Sequence, residues 1–175
     1  MRNIAIYKAT LDNEEIDQLK SVLQAKDDLS KVLEFEEKMV KYIGAKYAIA
    51  TATSTAALHL ALSSMRLKRG DKVLMSVNSF VNLPETVRHF DAEPIFVDIN
   101  LEDMNLDIEK FEEAIIANKS KKLRAAIITF IGGLAPNLDK IYEIGKKYNI
   151  LIIEDCRAAL GTKKKKKKVG NLGAD

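Results

Sequence analysis

Apolar positions in this chain first recur with the period of a helix and later gather into short unbroken runs. Ile16, Leu19, Val22 and Leu23 share one helical face. Asp12 precedes them as an N-cap, with Glu14 and Glu15 in the first turn, so a helix is expected over 12–24. A second helix is expected over 31–43, stopped by Gly44. From there strands and helices alternate. Strands are expected at 47–51, 72–77, 94–99, 125–130 and 150–155, and helices at 55–65, 82–90, 107–117 and 137–148.

The strand segments are continuous apolar runs, such as Ile150-Leu151-Ile152-Ile153, with no in–out alternation. A strand covered on both faces reads this way. Strand–helix alternation with such strands predicts an α/β fold, a mostly parallel sheet flanked by helices. No repeat and no Ser/Pro/Gly linker interrupts it, so residues 1–175 read as one continuous unit. In open sheets of this kind ligands sit at the carboxyl ends of the strands, and candidate chemistry is sought there.

Composition narrows the picture. At 175 residues and 47 % hydrophobic, the chain can bury a core. The single cysteine, Cys156, rules out an internal disulfide and makes a cytoplasmic setting the default expectation. The first 25 residues carry charges throughout and do not read as a signal peptide. No stretch nears the roughly 20 apolar residues of a membrane helix, so no membrane partner is expected. The net charge of +3 rests on six consecutive lysines, Lys163 to Lys168; without them the remaining basic residues are outnumbered by 25 acidic ones. A mildly acidic body argues against nucleic acid as a partner. The lysine run itself is expected to be a solvated loop, with a phosphate- or RNA-binding tail as the alternative.

Three strand ends carry candidate chemistry. After 47–51 come Ser54 and Thr55, opening a helix. They read equally as an ordinary N-cap or as hydroxyls beside a helix N-terminus that holds a phosphate. The Gly-x-x-x-x-Gly-Lys loop of nucleotide phosphate sites is absent. After 72–77 comes Phe80, a core side chain or a face on which a flat ring stacks. After 150–153 come Glu154 and Asp155. A carboxylate there is a helix cap or the partner of a protonated ring nitrogen, which it would keep protonated. Phosphate anchor, aromatic and carboxylate, in this order, are the parts of a pyridoxal phosphate cradle.

At this level of detail the chain resembles the DegT/DnrJ/EryC1/StrS aminotransferases, of the fold-type I aspartate-aminotransferase architecture. The matching pieces run from Tyr7-Lys8, Leu11-Asp12 and Glu14-Glu15-Ile16 through Phe35-Glu36 and Tyr42-Ile43-Gly44-Ala45-Lys46-Tyr47-Ala48. They continue with Ser54-Thr55-Ala56-Ala57-Leu58-His59, Gly70-Asp71-Lys72-Val73 and Pro94-Ile95-Phe96-Val97-Asp98, and end with Glu154-Asp155-Cys156, Val169-Gly170 and Leu172-Gly173. The resemblance implies a transferase that moves an amino group from glutamate to a nucleotide-linked keto-sugar, with pyridoxal phosphate as cofactor. It implies that Ser54 and Thr55 bind the cofactor phosphate, Phe80 stacks on its ring and Asp155 pairs with the ring nitrogen. It gives His59 no role and has Asp98 ordering the loop after its strand.

The chain departs from the family pattern in four places. Ser54 stands where the family has Gly. Ala158 stands where it has Gln or His near the cofactor's phenolic oxygen, with Arg157 beside it. Asp28-Leu29-Ser30-Lys31 replaces a Gly-Pro turn. Finally, the family's Schiff-base lysine falls after the Gly170-Asn171-Leu172-Gly173 motif, past the last residue here. The resemblance therefore implies that residues 1–175 are part of the large domain only, with its C-terminal part and the small domain absent. The chain alone is expected to be inactive, with no catalytic residue of its own. An incomplete sheet also predicts exposed apolar surface, and hence a homo-oligomer or a complementary C-terminal half. The alternative function is a non-catalytic interaction or regulatory module keeping the fold.

Overall fold

The computed structural model describes residues 9, 11–25, 29–164 and 167–171. Helix α1 (Asn13–Gln24) and helix α2 (Leu29–Ile43) lead into helix α3 (Ser54–Ser64). Strand β1 (Lys72–Ser76), helix α4 (Asn82–Arg88), strand β2 (Glu93–Val97), helix α5 (Ile108–Ala117) and strand β3 (Leu123–Thr129) follow. Helix α6 (Leu138–Tyr148) and strand β4 (Leu151–Asp155) complete the main sheet. Tyr7, Lys8, Asp28, Leu172 and Gly173 of the motif matches and departures lie outside the described residues.

The start of α1 is set by a reciprocal cap. The Asp12 carboxylate accepts from the Glu14 N–H at 2.8 Å, and the Glu15 carboxylate accepts from the Asp12 N–H at 2.7 Å. Gly44 ends α2 at φ +82°, a left-handed conformation in which a side chain would be strained.

The four main strands are parallel, in the order β2–β1–β3–β4. The central pair is buried on both faces: Val73, Leu74 and Met75 of β1 and Ala125 to Ile128 of β3 have no exposed surface. The outer strands β2 and β4 are only partly covered. Side chains of successive residues leave a strand on opposite faces. Leu74, Ala126 and Ile128 accordingly meet Phe111 of α5 and Ile141 of α6 in one core. Val73, Met75, Ala125 and Ile127 meet Leu58 and Leu62 of α3 and Val87 of α4 in the other.

The chain leaves β1 toward β2 on one side, then crosses back to β3 and β4 on the other. The strand order therefore reverses between β1 and β3. That makes a crevice at their carboxyl ends, the place where open parallel sheets take ligands.

Two expectations are corrected. Residues 47–51 form no strand among the described residues, and Tyr47 and Ile49 are 81 % and 69 % exposed. An apolar run specifies a strand only when a neighbour offers a ladder to pair with, and no described strand does so here. The lysine run is not a plain solvated loop. Lys163–Lys164 (β5) pairs antiparallel with Lys167–Lys168 (β6). Lys164 donates to the Pro136 carbonyl at 3.0 Å, and the Lys168 ammonium lies 3.1 Å from the centre of the Tyr42 ring. Lys164 and Lys168 thus turn their charge to the protein, while Lys163 and Lys167 are exposed. Lys165 and Lys166 lie outside the described residues.

Candidate active site

All four residues singled out by sequence lie at the sheet's carboxyl end. Thr53, not Ser54 or Thr55, caps α3, its hydroxyl accepting from the Ala56 N–H at 3.1 Å. The cap reading of Ser54 and Thr55 therefore falls. Both sit in the first turn, beside N–H groups that have no partner within a helix. Thr55 Oγ1 accepts from Asn82 Nδ2 at 3.0 Å, fastening α3 to α4. Phe80 is 68 % exposed, so the core reading falls too.

Asp155 ends β4, and no helix starts there for it to cap. Its side chain is 13 % exposed, and its Oδ2 has no hydrogen-bond partner. The Arg157 guanidinium approaches that oxygen to 3.4 Å, near enough for ion pairing but not aligned to donate to it. Thr129 is the register partner of Asp155 on β3, and its Oγ1 is a second buried oxygen with no partner. Paired residues of neighbouring strands point to the same face. The two oxygens therefore sit together, on the α3 side of the sheet.

Glu154, expected as half of a carboxylate pair, points the other way and is structural. Its carboxylate accepts from the Tyr142 hydroxyl and from the Gly170 N–H at 2.9 Å. Burial, and then that hydrogen bond, pushes the Tyr142 phenol up, so it stays protonated. Burial, followed by the Glu154 charge, also pushes the Cys156 thiol up, which leaves it no reactive thiolate at neutral pH. His59 packs its ring against Phe90 at 4.7 Å, a structural place between helices.

Two cavities meet at Asp155 and Arg157. One, of about 250 Å³, is lined by Ser54, Ala57, Asn82 and Ile153 together with that pair. The other, of about 460 Å³, lies at the strand-order reversal and is lined by Asn78, Phe80, Thr129 and Phe130 with the same pair. The Arg157 guanidinium carbon lies 4.3 Å from the centre of the Phe80 ring, and its Nη1 donates to Asn82 Oδ1 at 3.1 Å.

Sequence reasoning missed Asn82, Thr129 and Arg157 as site residues. Asn82 and Thr129 read as ordinary members of a helix start and an apolar strand. Arg157 carried a signal, since it lies two residues past a strand-end carboxylate.

A flat cationic ring bearing a phosphate fits these groups. The first turn of α3 offers N–H groups and hydroxyls for the phosphate. Phe80 offers a face, and Asp155 offers a buried carboxylate oxygen that lacks a hydrogen bond.

These groups lie together at the carboxyl end of a parallel sheet whose central strands are covered on both faces. The DegT/DnrJ/EryC1/StrS aminotransferase family model matches residues 9–175, and the chain belongs to that family, which is PLP-dependent. It is 35 % identical to GDP-perosamine synthase of Caulobacter vibrioides over 81 % of this chain and 37 % of the relative. It is 34 % identical to UDP-4-amino-4,6-dideoxy-N-acetyl-beta-L-altrosamine transaminase of Campylobacter jejuni, over 93 % of this chain and 43 % of the relative. Among solved structures, GDP-4-keto-6-deoxymannose-3-dehydratase with a trapped PLP-glutamate geminal diamine superposes with a TM-score of 0.85 at 25 % identity. That match covers 98 % of this chain and 45 % of the other. The chain thus spans less than half the length of these relatives.

Proposed function

We propose that this chain holds the pyridoxal phosphate of an aminotransferase that acts on nucleotide-linked keto-sugars, with glutamate as amino donor. The carrying observation is the buried Asp155 oxygen without a hydrogen bond, in one cleft with Phe80 and the first turn of α3. The named relatives and the family support the substrate class.

When bound, the cofactor supplies a protonated ring that withdraws electrons from the carbon carrying the amino group. Asp155 keeps the ring nitrogen protonated, because a proton there neutralises a carboxylate that is otherwise costly to bury. Phe80 fixes the ring plane. Ser54, Thr55 and the α3 N-terminus hold the phosphate, whose charge suits the positive end of the helix. No lysine lines either cavity among the described residues. The amine the family's chemistry requires therefore comes from another part of the protein or from a partner, which fits a homo-oligomer or a complementary half. The described residues by themselves carry binding rather than turnover.

The competing reading is a non-catalytic module that keeps the fold. It is favoured by Ala158, which has no polar group to offer the cofactor's phenolic oxygen. A titration of the protein with pyridoxal phosphate, followed by the cofactor's absorbance, separates the two. Saturable binding that weakens at least tenfold in Asp155→Asn, with the circular dichroism unchanged, supports the aminotransferase reading. Absence of saturable binding removes it in favour of the interaction module.

A further inference from the structure

Arg157 imitates the ring that the site is built to hold. Its guanidinium is planar and carries one positive charge. It lies over the Phe80 ring at 4.3 Å and beside Asp155 Oδ2 at 3.4 Å. Those are the two contacts a protonated pyridine would make with the same residues. Arg157 also donates to Asn82 Oδ1, and Asn82 in turn donates to Thr55 Oγ1 at 3.0 Å. One side chain thus connects the ring seat to the phosphate seat.

Its position between the two cavities sharpens the point. Ser54 lines the smaller cavity and Phe80 the larger, and Arg157 lines both. A molecule with its phosphate at α3 and its ring on Phe80 must pass through the place where the guanidinium stands. Two planar cations cannot share the exposed Phe80 face and one carboxylate oxygen, because each would lose the contact that compensates its desolvation.

We propose that Arg157 is a built-in competitor for the ring seat, a gate residue that must swing out before a phosphorylated cationic ring can bind. The proposal rests on the cofactor reading above. Arg157 follows β4 in a turn, and its backbone contributes to no strand or helix. The swing therefore needs side-chain rotation alone. When the guanidinium leaves, Asp155 exchanges one cationic partner for another and the charge balance of the cleft is kept. The cost of ligand binding is then the loss of the Phe80 and Asn82 contacts. An arginine serving only to stabilise the turn would produce no such exchange.

The test uses pyridoxine 5′-phosphate, which lacks the aldehyde and binds without any covalent bond to lysine. Its dissociation constant is measured by calorimetry for the wild-type protein, Arg157→Ala, Arg157→Lys and Asp155→Asn. Melting temperatures are taken with and without the probe. Arg157→Ala is expected to bind about tenfold tighter. It is also expected to melt lower than wild type without the probe, yet to gain more from it. Lysine keeps the charge but not the plane, so Arg157→Lys should fall between; it carries the test if the alanine variant does not fold. Asp155→Asn should bind more weakly than wild type.

Equal or weaker binding by both Arg157 variants, with wild type binding and Asp155→Asn impaired, overturns the gate while leaving the cofactor site standing. No binding by any folded protein overturns the cofactor site and the gate with it.

Discussion

Residues 72–155 and residues 11–51 are built from equally regular patterns, yet they reach different ends. In the first region the apolar faces of β1, β3, α5 and α6 close on one another until Phe111, Phe130, Leu74 and Ile128 have no exposed surface. In the second, α1 has no buried residue and its apolar stripe stays largely open, with Leu23 86 % exposed. The arm is joined to the body by a few polar ties. The Gly44 carbonyl accepts from Asn171 Nδ2 at 2.7 Å. Lys168 lies over Tyr42. The difference teaches that a helical period specifies a helix but not its cover. The cover needs a second surface, and the sheet supplies one only to the elements that cross over it.

The largest test of this contrast pairs one aromatic with one leucine. Phe111→Ala removes a fully buried ring between the sheet and its helices. It should lower the unfolding free energy by about 3–5 kcal/mol, the usual effect of such a cavity. Leu23→Ala should change it by less than about 0.5 kcal/mol, as for other surface changes. Urea unfolding of both variants measures the gap. Similar losses in the two would show that the arm is as much a part of the cooperative unit as the sheet.

The same contrast explains which features were legible in the sequence. Continuous apolar runs such as Ala125 to Ile128 announce central parallel strands because nothing but double burial tolerates them. Asp12 with Glu15, and Asp107 before α5, announce helix starts through a local hydrogen bond that needs no other part of the chain. Tyr47 to Thr51 misleads because its apolar residues are as regular as those of a strand, while pairing is a property of neighbours.

The gathering of Ser54, Thr55, Phe80 and Asp155 at one end of the sheet was legible because each follows a segment read as a strand or an apolar run, and strand ends are where such sheets bind ligands. Thr129 and Arg157 were not. Thr129 matters through its register opposite Asp155, and Arg157 through the direction its side chain takes over Phe80. Neither register nor side-chain direction is written in spacing along the chain.

A smaller effect is expected from the cap of α1. Asp12→Ala removes the side-chain acceptor of the Glu14 N–H and breaks the reciprocal cap. Such a loss destabilises a helix by about 1 kcal/mol. In an element with no buried residue it should stay local. Amide exchange in α1 should speed up about fivefold, from that same loss of about 1 kcal/mol, while exchange in β1 and β3 stays unchanged. Faster exchange in the sheet as well would mean that α1 is coupled to the body through contacts stronger than the polar ties described.

The smallest effect concerns the charges that stand in for packing in the arm. Glu34 of α2 accepts from Lys38 at 2.6 Å and from Lys31 at 2.9 Å. The Lys38 hydrogen bond, and next the Lys31 one, hold its carboxyl down from the ordinary 4.5 to about 2. Because the folded value is the lower one, the contribution is present above about 4.5 and disappears as pH falls toward about 2. These groups face solvent, so salt should screen the interaction and leave little effect on global stability. A carboxyl titration of Glu34 by nuclear magnetic resonance at low salt should therefore have its midpoint near 2, rising as salt is added. Lys38→Ala should raise the midpoint more than Lys31→Ala, because the Lys38 hydrogen bond is the largest cause. A midpoint that stays at the ordinary value in all three proteins would show that α2 is held by its few contacts with the body rather than by its own charges.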